Sequence, residues 1–263
     1  MDAVEKLKET ILKDYPKLNK KSEFKFNCHK NISCFNNCCS DVNIFLTPYD
    51  IIRLKNSLKI SSQEFLDKYT LLPIDEKQRH PIVMLKMNND ENKSCPFVCA
   101  EGCSVYEDRP WSCRMFPLGV ASPKEINGSH EEDFYFIIEE PVCKGYYEPT
   151  KWTVREWLHD QKVEEYDEMG KLFKEISLHD YFSKGKKLTP PQLEMFYTVC
   201  YNIDKFREFV FDSTFLKRFE IEDEVIEKIK TNDEELLKFG FQWLKYCLFG
   251  EKTMKVKVKD EDA

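Results

Sequence analysis

Nine of the eleven cysteines in this 263-residue chain lie between Cys28 and Cys143, and this crowding limits the possible fold more than any other feature of the sequence. The three groups are Cys28, Cys34, Cys38 and Cys39; Cys95, Cys99, Cys103 and Cys113; and Cys143 alone. Thiolates are soft ligands that suit zinc and iron–sulfur centres, and four of them close a tetrahedral structural site. The distribution predicts a module that holds metal.

Two other interpretations of the cysteines compete with metal binding. Cys200 and Cys247 are isolated on apolar helical stripes and are predicted to be core residues, but the nine clustered thiols do not fit that pattern. A disulfide framework needs an oxidising compartment, and the N-terminal sequence MDAVEKLKETILKDY lacks the features of a secretion signal. We therefore expect a cytoplasmic protein whose clustered thiols are reduced and bind metal.

The adjacent residues Cys38 and Cys39 carry further information about the site. Successive side chains leave an extended backbone in opposite directions, so neighbours reach one ion only through a turn. Either the two thiolates serve two metals, or one is a ligand while the other packs.

Short apolar runs in the first half of the chain favour β-strands. They cover residues 42–46, 82–87 and 134–138, and each is rich in β-branched or aromatic residues. Two helices are predicted between the first two runs. Thr47 precedes a proline and Asp50, and Ser61 precedes Glu64 at capping-box spacing.

The second half of the chain has almost wholly helical patterns. Thr153 and Glu156 form a capping box, and the sequence from Leu188 to Gln192 starts another strong helix. Helical periodicity recurs over residues 222–229 and 233–249. At the ends, residues 1–15 resemble a short amphipathic helix, and the charged residues 255–263 are expected to be frayed.

These patterns predict an α+β fold that is predominantly helical, with a small strand-and-loop cysteine-cluster module. We place a chelating domain at residues 1–148 and a helical domain at residues 149–263, and the two can share one core. The formal charge of −7 argues against a broad basic surface for nucleic acid, and no segment is apolar enough to span a membrane.

The cysteine segments resemble the YkgJ-type cysteine-cluster family. Its second signature, C-S-x-Y-x-x-R-P-x-x-C-R-x-F-P, is matched by Cys103, Ser104, Tyr106, Arg109, Pro110, Cys113, Arg114, Phe116 and Pro117. The similarity covers roughly residues 24–145. The first motif departs from the compact family spacing C-x2-C-x2-C-C, because the gaps here are five and three residues, and Cys99 has no counterpart.

The resemblance implies a zinc- or iron-chelating domain, which flagellin lysine N-methylases share. The ligands it implies are Cys28, Cys34, Cys38, Cys39, Cys95, Cys103, Cys113 and Cys143. Arg109 and Arg114 flank Cys113, where they would either neutralise thiolate charge around the centre or pair with carboxylates such as Glu107 or Asp108. Eight thiolates suffice for two four-ligand sites, or for one cluster and a structural zinc.

Three functions are consistent with the sequence. The first is a metal-binding protein with an iron–sulfur or zinc centre, iron being preferred, in a structural or redox role. The second is an S-adenosylmethionine-dependent protein-lysine methyltransferase, although the chain has no G-x-G-x-x-G loop. The third is chelation or sensing of iron or zinc. The expected partners are a metal ion and a protein partner or substrate, and the sequence does not decide whether the chain is an enzyme.

Overall fold

The computed structural model describes residues 15–73, 79–121 and 133–257. The fold is α+β and predominantly helical, as the sequence predicts. Within the described residues, no helix combines the length and apolar composition that a membrane span requires. The predicted helix at the N-terminus falls mostly on residues 1–14, outside the described part.

The first half of the chain consists of short strands and turns around two regular helices. In chain order its elements are β1 (Glu23–Lys25), β2 (Phe45–Leu46), α1 (Pro48–Leu58), α2 (Ser62–Tyr69), β3 (Thr70–Leu71), β4 (Val83–Leu85), β5 (Val98–Cys99), β6 (Gly102–Cys103), α3 (Trp111–Met115), β7 (Leu118–Ala121), β8 (Phe134–Ile137) and β9 (Lys151–Thr153). Three 3₁₀ turns, Asn37–Cys39, Tyr106–Asp108 and Gly145–Tyr147, connect these elements. Cysteines therefore lie mainly in turns and strand ends.

The second half is a set of packed helices. Its elements are α4 (Val154–Asp160), α5 (Val163–Ser177), α6 (Asp180–Ser183), α7 (Pro190–Tyr201), α8 (Ile203–Asp212), α9 (Phe215–Arg218), β10 (Phe219–Glu220), α10 (Asp223–Thr231), α11 (Asp233–Leu244), a π-helical turn (Lys245–Phe249) and β11 (Lys255–Val256). The helices predicted at residues 222–229 and 233–249 are confirmed.

All strand pairs in the described residues are antiparallel. The three predicted strands form as β2, β4 and β8, each shorter than its apolar run. β4 is the centre of a three-stranded sheet in the order β2–β4–β3. The other pairs are β1–β9, β5–β6, β7–β8 and β10–β11. The last pair corrects the expectation of fraying for residues 255–257, because residues 255 and 256 are strand residues and Lys257 donates its backbone N–H to the Arg218 carbonyl at 2.8 Å. The rest of that predicted segment, residues 258–263, lies outside the described part of the chain.

The predicted caps begin the helices as expected. Thr47 accepts from the backbone N–H of Asp50, and the Asp50 carboxylate accepts in return from Thr47, which completes a capping box. Thr153 and Glu156 form the same arrangement at α4. Side-chain oxygens satisfy N–H groups that have no partner within the helix, so each cap fixes where the helix starts.

Two apolar clusters form the core. The larger one joins α1, α2 and β4 to the helices α5, α7, α8 and α11, so it contains residues from both sides of the boundary predicted near residue 148. The boundary itself stays a prediction. The smaller cluster lies beneath β1, β7 and α4. Cys200 is buried in the larger cluster, as expected, whereas the prediction for Cys247 is wrong because that residue is exposed on the π-helical turn.

Gly240 allows α11 to pack closely against α7 and α8. A Cβ at Gly240 would lie 2.5 Å from Val199 Cγ1 and 2.9 Å from Phe206 Cε1. We expect Gly240→Ala to lower the free energy of unfolding by about 1–2 kcal/mol, because overpacking outweighs the better helix propensity of alanine. Gly170→Ala on α5 is the matched control, since its Cβ meets nothing within 4 Å. Urea denaturation should show the control gaining about 0.5–1 kcal/mol, and a stabilised Gly240→Ala variant would contradict the packing.

Candidate metal centre

The segment that carries Cys28 is fixed by the chain that follows β8. Backbone N–H groups of Phe26 and Asn27 donate to the carbonyls of Thr150 and Gly145 at 3.0 and 3.1 Å. These bonds extend the β1–β9 pairing toward the cysteines. The first cysteine group is therefore placed beside the chain around Cys143, although the two are far apart in sequence.

A series of tight turns carries the next three cysteines. Asn37 donates its N–H to the Cys34 carbonyl at 3.0 Å, and Cys39 donates to the Asn36 carbonyl at 3.0 Å. Asn36 has a positive φ of 69°, a conformation that asparagine tolerates better than most residues. This turn places Cys38 and Cys39 side by side in the 3₁₀ turn Asn37–Cys39.

Four thiols form a first set of neighbours: Cys28, Cys34, Cys38 and Cys143. The pKa of Cys28 is raised to about 11, chiefly by burial, and the thiols of Cys38, Cys143 and Cys34 contribute to this rise. Burial also raises the pKa of Cys143, and the neighbouring thiols of Cys34 and Cys38 contribute to that rise. The Cys34 sulfur accepts the backbone N–H of Lys144 at 3.0 Å. Cys34 and Cys143 are buried, whereas Cys28 is exposed.

A backbone bridge starts the second set. Cys95 donates its N–H to the Cys39 carbonyl at 2.7 Å, and Ser40 pairs with Ser94 in an isolated antiparallel bridge. The hairpin of β5 and β6 then returns the chain and brings Cys103 close to Cys95. Gly102 has φ +122° in this hairpin, a conformation that L side chains rarely adopt.

Cys39, Cys95, Cys103 and Cys113 are the neighbours in this second set. Cys113 has an exposed surface, but surrounding protein desolvates its thiol and raises its pKa to about 12. Cys95, Asp50 and Cys103 contribute to this rise, of which burial is the largest cause. The hydrogen bond with Cys38 and burial raise the pKa of Cys39, and Cys95 and Cys113 contribute as well. Burial and the neighbouring Cys103 raise the pKa of Cys95.

The two sets meet at the vicinal pair. The Cys38 and Cys39 side chains are hydrogen-bonded to each other, and this bond lowers the pKa of Cys38 to about 7. Their further thiol neighbours differ, since Cys28 and Cys143 adjoin Cys38 while Cys95 and Cys113 adjoin Cys39. Across residues 15–73, 79–121 and 133–257, no three or more His, Cys, Asp or Glu side chains are arranged to hold a metal ion. The thiols are grouped as neighbours but not drawn into coordination shells.

Arg109 lies beside the second set. Its guanidinium covers the Tyr106 ring at 3.8 Å and donates to the Tyr106 carbonyl and to Gln161 Oε1. Burial lowers the pKa of Arg109, and the thiols of Cys113 and Cys103 act in the opposite direction. The charge of Arg109 therefore acts on two thiols of this set.

Arg114 is 1% exposed and binds backbone. Its guanidinium donates to the carbonyls of Arg109 at 3.0 Å, of Gln161 at 2.8 Å and of Glu107, and it lies 4.4 Å from the Tyr166 ring centroid. One side chain thus ties three irregular segments of backbone together.

The carboxylates considered as alternative partners of the two arginines bind other residues. Asp108 accepts from Arg53 at 2.7 Å, and Glu107 lies 3.5 Å from Lys162. In the described part of the chain, neither Arg109 nor Arg114 forms an ion pair with them. Both arginines instead satisfy carbonyls close to the cysteines.

Asp50 and Gln161 contact the site, although no sequence motif marks them as site residues. Asp50 is completely buried and accepts the backbone N–H of Trp111, two residues before Cys113, at 2.8 Å. Its capping role was readable from the sequence, but this long-range bond had no sequence signal. Gln161 follows α4 and accepts from both Arg109 and Arg114, again without a recognisable pattern.

Cys99 and His29 lie next to the sets but are occupied otherwise. The exposed Cys99 thiol donates to the Gly102 carbonyl at 3.2 Å, and it adjoins Cys103. His29 Nε2 lies 3.1 Å from Glu148 Oε2, while its Nδ1 accepts the N–H of Asn31 at 3.3 Å. Both ring nitrogens of His29 therefore have protein partners.

Comparison with known proteins finds one family model that matches the cysteine-rich region. Residues 27–144 match the family model CxxCxxCC, described as "Putative zinc- or iron-chelating domain". The match confirms, over this segment, the resemblance expected from the cysteine signatures. All eight predicted ligands lie inside the matched segment, which supports a metal-binding role. No curated protein and no solved structure matches the chain.

Arg114→Lys tests whether the Arg114 guanidinium holds three segments of backbone together. A lysine ammonium cannot reach three carbonyls that lie in different directions, so buried acceptors lose their partners. We expect the free energy of unfolding to fall by about 2–4 kcal/mol in urea denaturation. The control is Arg155→Lys on the exposed surface of α4, which should change stability by no more than about 0.5 kcal/mol. Equal changes in the free energy of unfolding for the two substitutions would contradict this role of Arg114.

Proposed function

We propose that the chain is a metal protein in which two sets of four cysteine thiolates each bind one metal centre. The first set is Cys28, Cys34, Cys38 and Cys143, and the second is Cys39, Cys95, Cys103 and Cys113. The observation that carries this proposal is the division of the vicinal pair, whose two thiols have different thiol neighbours. Each set then has the four soft ligands that close a tetrahedral site.

The donor chemistry fits both iron–sulfur clusters and zinc. Each set consists of thiols alone, and His29, the closest histidine in sequence, is bonded to Glu148. We place iron–sulfur ahead of zinc because the chain brings together eight thiolates that include a vicinal pair, and their spacing as a whole does not match a zinc ribbon. An iron–sulfur centre bound there would supply one-electron transfer, whereas zinc would be structural.

The residues around each set would support such a centre. Arg109 places positive charge beside Cys103 and Cys113, which offsets part of the negative charge of a thiolate-bound metal. Cys28 is an exposed residue of the first set, a position from which a partner could exchange electrons or metal. No observation favours the S-adenosylmethionine alternative.

Metal analysis of anaerobically purified protein tests the metal and its role together. We expect iron and acid-labile sulfide, a broad visible absorption band, and a melting temperature that falls by about 10 °C or more on removal of the metal. The fall is expected because metal binding and folding share free energy. A colourless protein with two zinc ions per chain would overturn the choice of iron, and an equally stable apo form would refute a structural role.

Single substitutions of the vicinal pair test the two-set division. Cys38→Ser should halve the metal content and leave Cys28, Cys34 and Cys143 open to alkylation. Cys39→Ser should also halve it, but expose Cys95, Cys103 and Cys113 instead. Metal analysis and mass spectrometry after iodoacetamide treatment measure both effects.

The control is Cys247→Ser, which changes an exposed thiol outside both sets and should retain full metal content. If Cys38→Ser and Cys39→Ser expose the same thiols, the eight cysteines serve one shared centre and the two-set model is wrong.

A further inference from the structure

Asp50 makes more bonds than helix capping requires. As the third residue of α1, its Oδ2 accepts the backbone N–H of Thr47 at 2.7 Å and the Thr47 hydroxyl at 2.8 Å. Its other oxygen, Oδ1, accepts the backbone N–H of Trp111 at 2.8 Å. One carboxylate therefore joins the start of α1 to the start of α3.

The capping box of α4 shows what capping alone looks like. Glu156 accepts from the N–H and hydroxyl of Thr153 at 2.7 and 2.8 Å, and it does so as an exposed residue. Asp50 performs the same task at 0% exposure. Burying a carboxylate is unfavourable unless its oxygens are fully hydrogen-bonded, so its position needs a reason beyond the cap. The bond to Trp111 is the feature that the α4 box lacks.

The short helix α3 depends on such outside contacts. It spans only five residues, Trp111–Met115, and so small a helix has little stability of its own. Its first N–H is held by Asp50, and the Trp111 indole donates to Asp167 on α5 at 2.8 Å. Arg114 fixes the other side of the turn through three carbonyls. Cys113 lies between these anchors.

We propose that Asp50 is a positioning residue for the second metal set, because its carboxylate fixes the backbone of α3 and so places the Cys113 sulfur among Cys39, Cys95 and Cys103. This inference rests on the proposed two-centre function. Asp50 touches no metal in this role and acts through Trp111. This positioning role concerns only the second set, because none of the four cysteines of the first set lies on α3.

Whether Asp50→Asn strengthens or weakens metal binding distinguishes a positioning role of Asp50 from a purely electrostatic one. The negative charge of Asp50 opposes additional negative charge at Cys113. If charge were its main influence, Asp50→Asn would strengthen metal binding at the second set. Positioning predicts the reverse, because an amide has one acceptor oxygen and cannot accept from Thr47 and Trp111 on opposite sides.

Cobalt(II) titration of the reduced, metal-free full chain tests the proposal, because thiolate-to-cobalt absorption bands report each filled site. Wild type should bind two equivalents. Asp50→Asn should keep the first with an unchanged spectrum and bind the second about 10- to 100-fold more weakly, as expected when a group that orients a ligand is lost. The retained first equivalent also shows that the variant is folded.

Thr47→Ala is the matched control, since it removes both cap bonds of the Thr47 hydroxyl but leaves the Asp50 bonds to the backbone N–H groups of Thr47 and Trp111. It should retain both equivalents. Asp50→Asn binding two equivalents with wild-type affinity would overturn the positioning role alone, as would equal losses in Thr47→Ala. Wild type binding fewer than two ions would overturn the two-centre function and this inference together.

Asp50→Glu provides a second variant should Asp50→Asn fail to fold. It keeps the charge but displaces the carboxylate by one methylene, so it should shift Trp111 and weaken only the second equivalent. Unchanged binding of both ions by a folded Asp50→Glu variant would count against the proposal.

Discussion

A single peptide bond joins Cys38 to Cys39, and the arrangement of the whole cysteine module depends on this covalent limit. Successive side chains diverge on an extended backbone, so two adjacent thiols come close to each other only where the backbone turns. The 3₁₀ turn Asn37–Cys39 gives each thiol its own neighbours. Everything else in the module brings other segments to one side or the other of this pair. The strand β1 and the chain after β8 serve one side, and the β5–β6 hairpin and α3 serve the other.

Buried charge holds the irregular parts of the module in place. The chain from Cys103 to Cys113 has little regular structure, so its carbonyl and N–H groups need partners other than a helix or sheet ladder. Arg114 supplies donors for carbonyls, and Asp50 supplies an acceptor for an N–H. Charged hydrogen bonds are stronger than neutral ones, which suits a segment that must hold its shape without secondary structure. From the second half of the chain, Gln161 after α4 accepts a hydrogen bond from Arg114, and the Tyr166 ring on α5 packs against the same guanidinium.

Local signals in the sequence predicted the local structure well. The caps at Thr47 and Thr153 act through neighbours three residues away, so their partners are visible in the sequence. The prediction for Cys247 is wrong because its helical stripe breaks in the π-helical turn. Fraying is predicted for residues 255–257 because they are rich in charge, and their pairing with β10 is long-range and has no local signal. The cysteine segments were recognisable, but their division into two sets was not. That division depends on which turns bring Cys143 to Cys34 and Cys95 to Cys39, and spacing alone does not encode it.

The contact between Cys34 and the chain at Cys143 has a topological consequence. Cys143 follows Cys28 by more than 100 residues, so a metal shared by these thiols closes most of the domain into one loop. In chain-entropy terms, a cross-link over a loop of about that length removes roughly 4.7 kcal/mol of freedom from the unfolded state. The proposed centres would thus act as reversible cross-links between distant parts of the chain. A chain cut once between Cys39 and Cys95 would remain a single particle while both centres are filled, since each centre draws ligands from both sides of the cut.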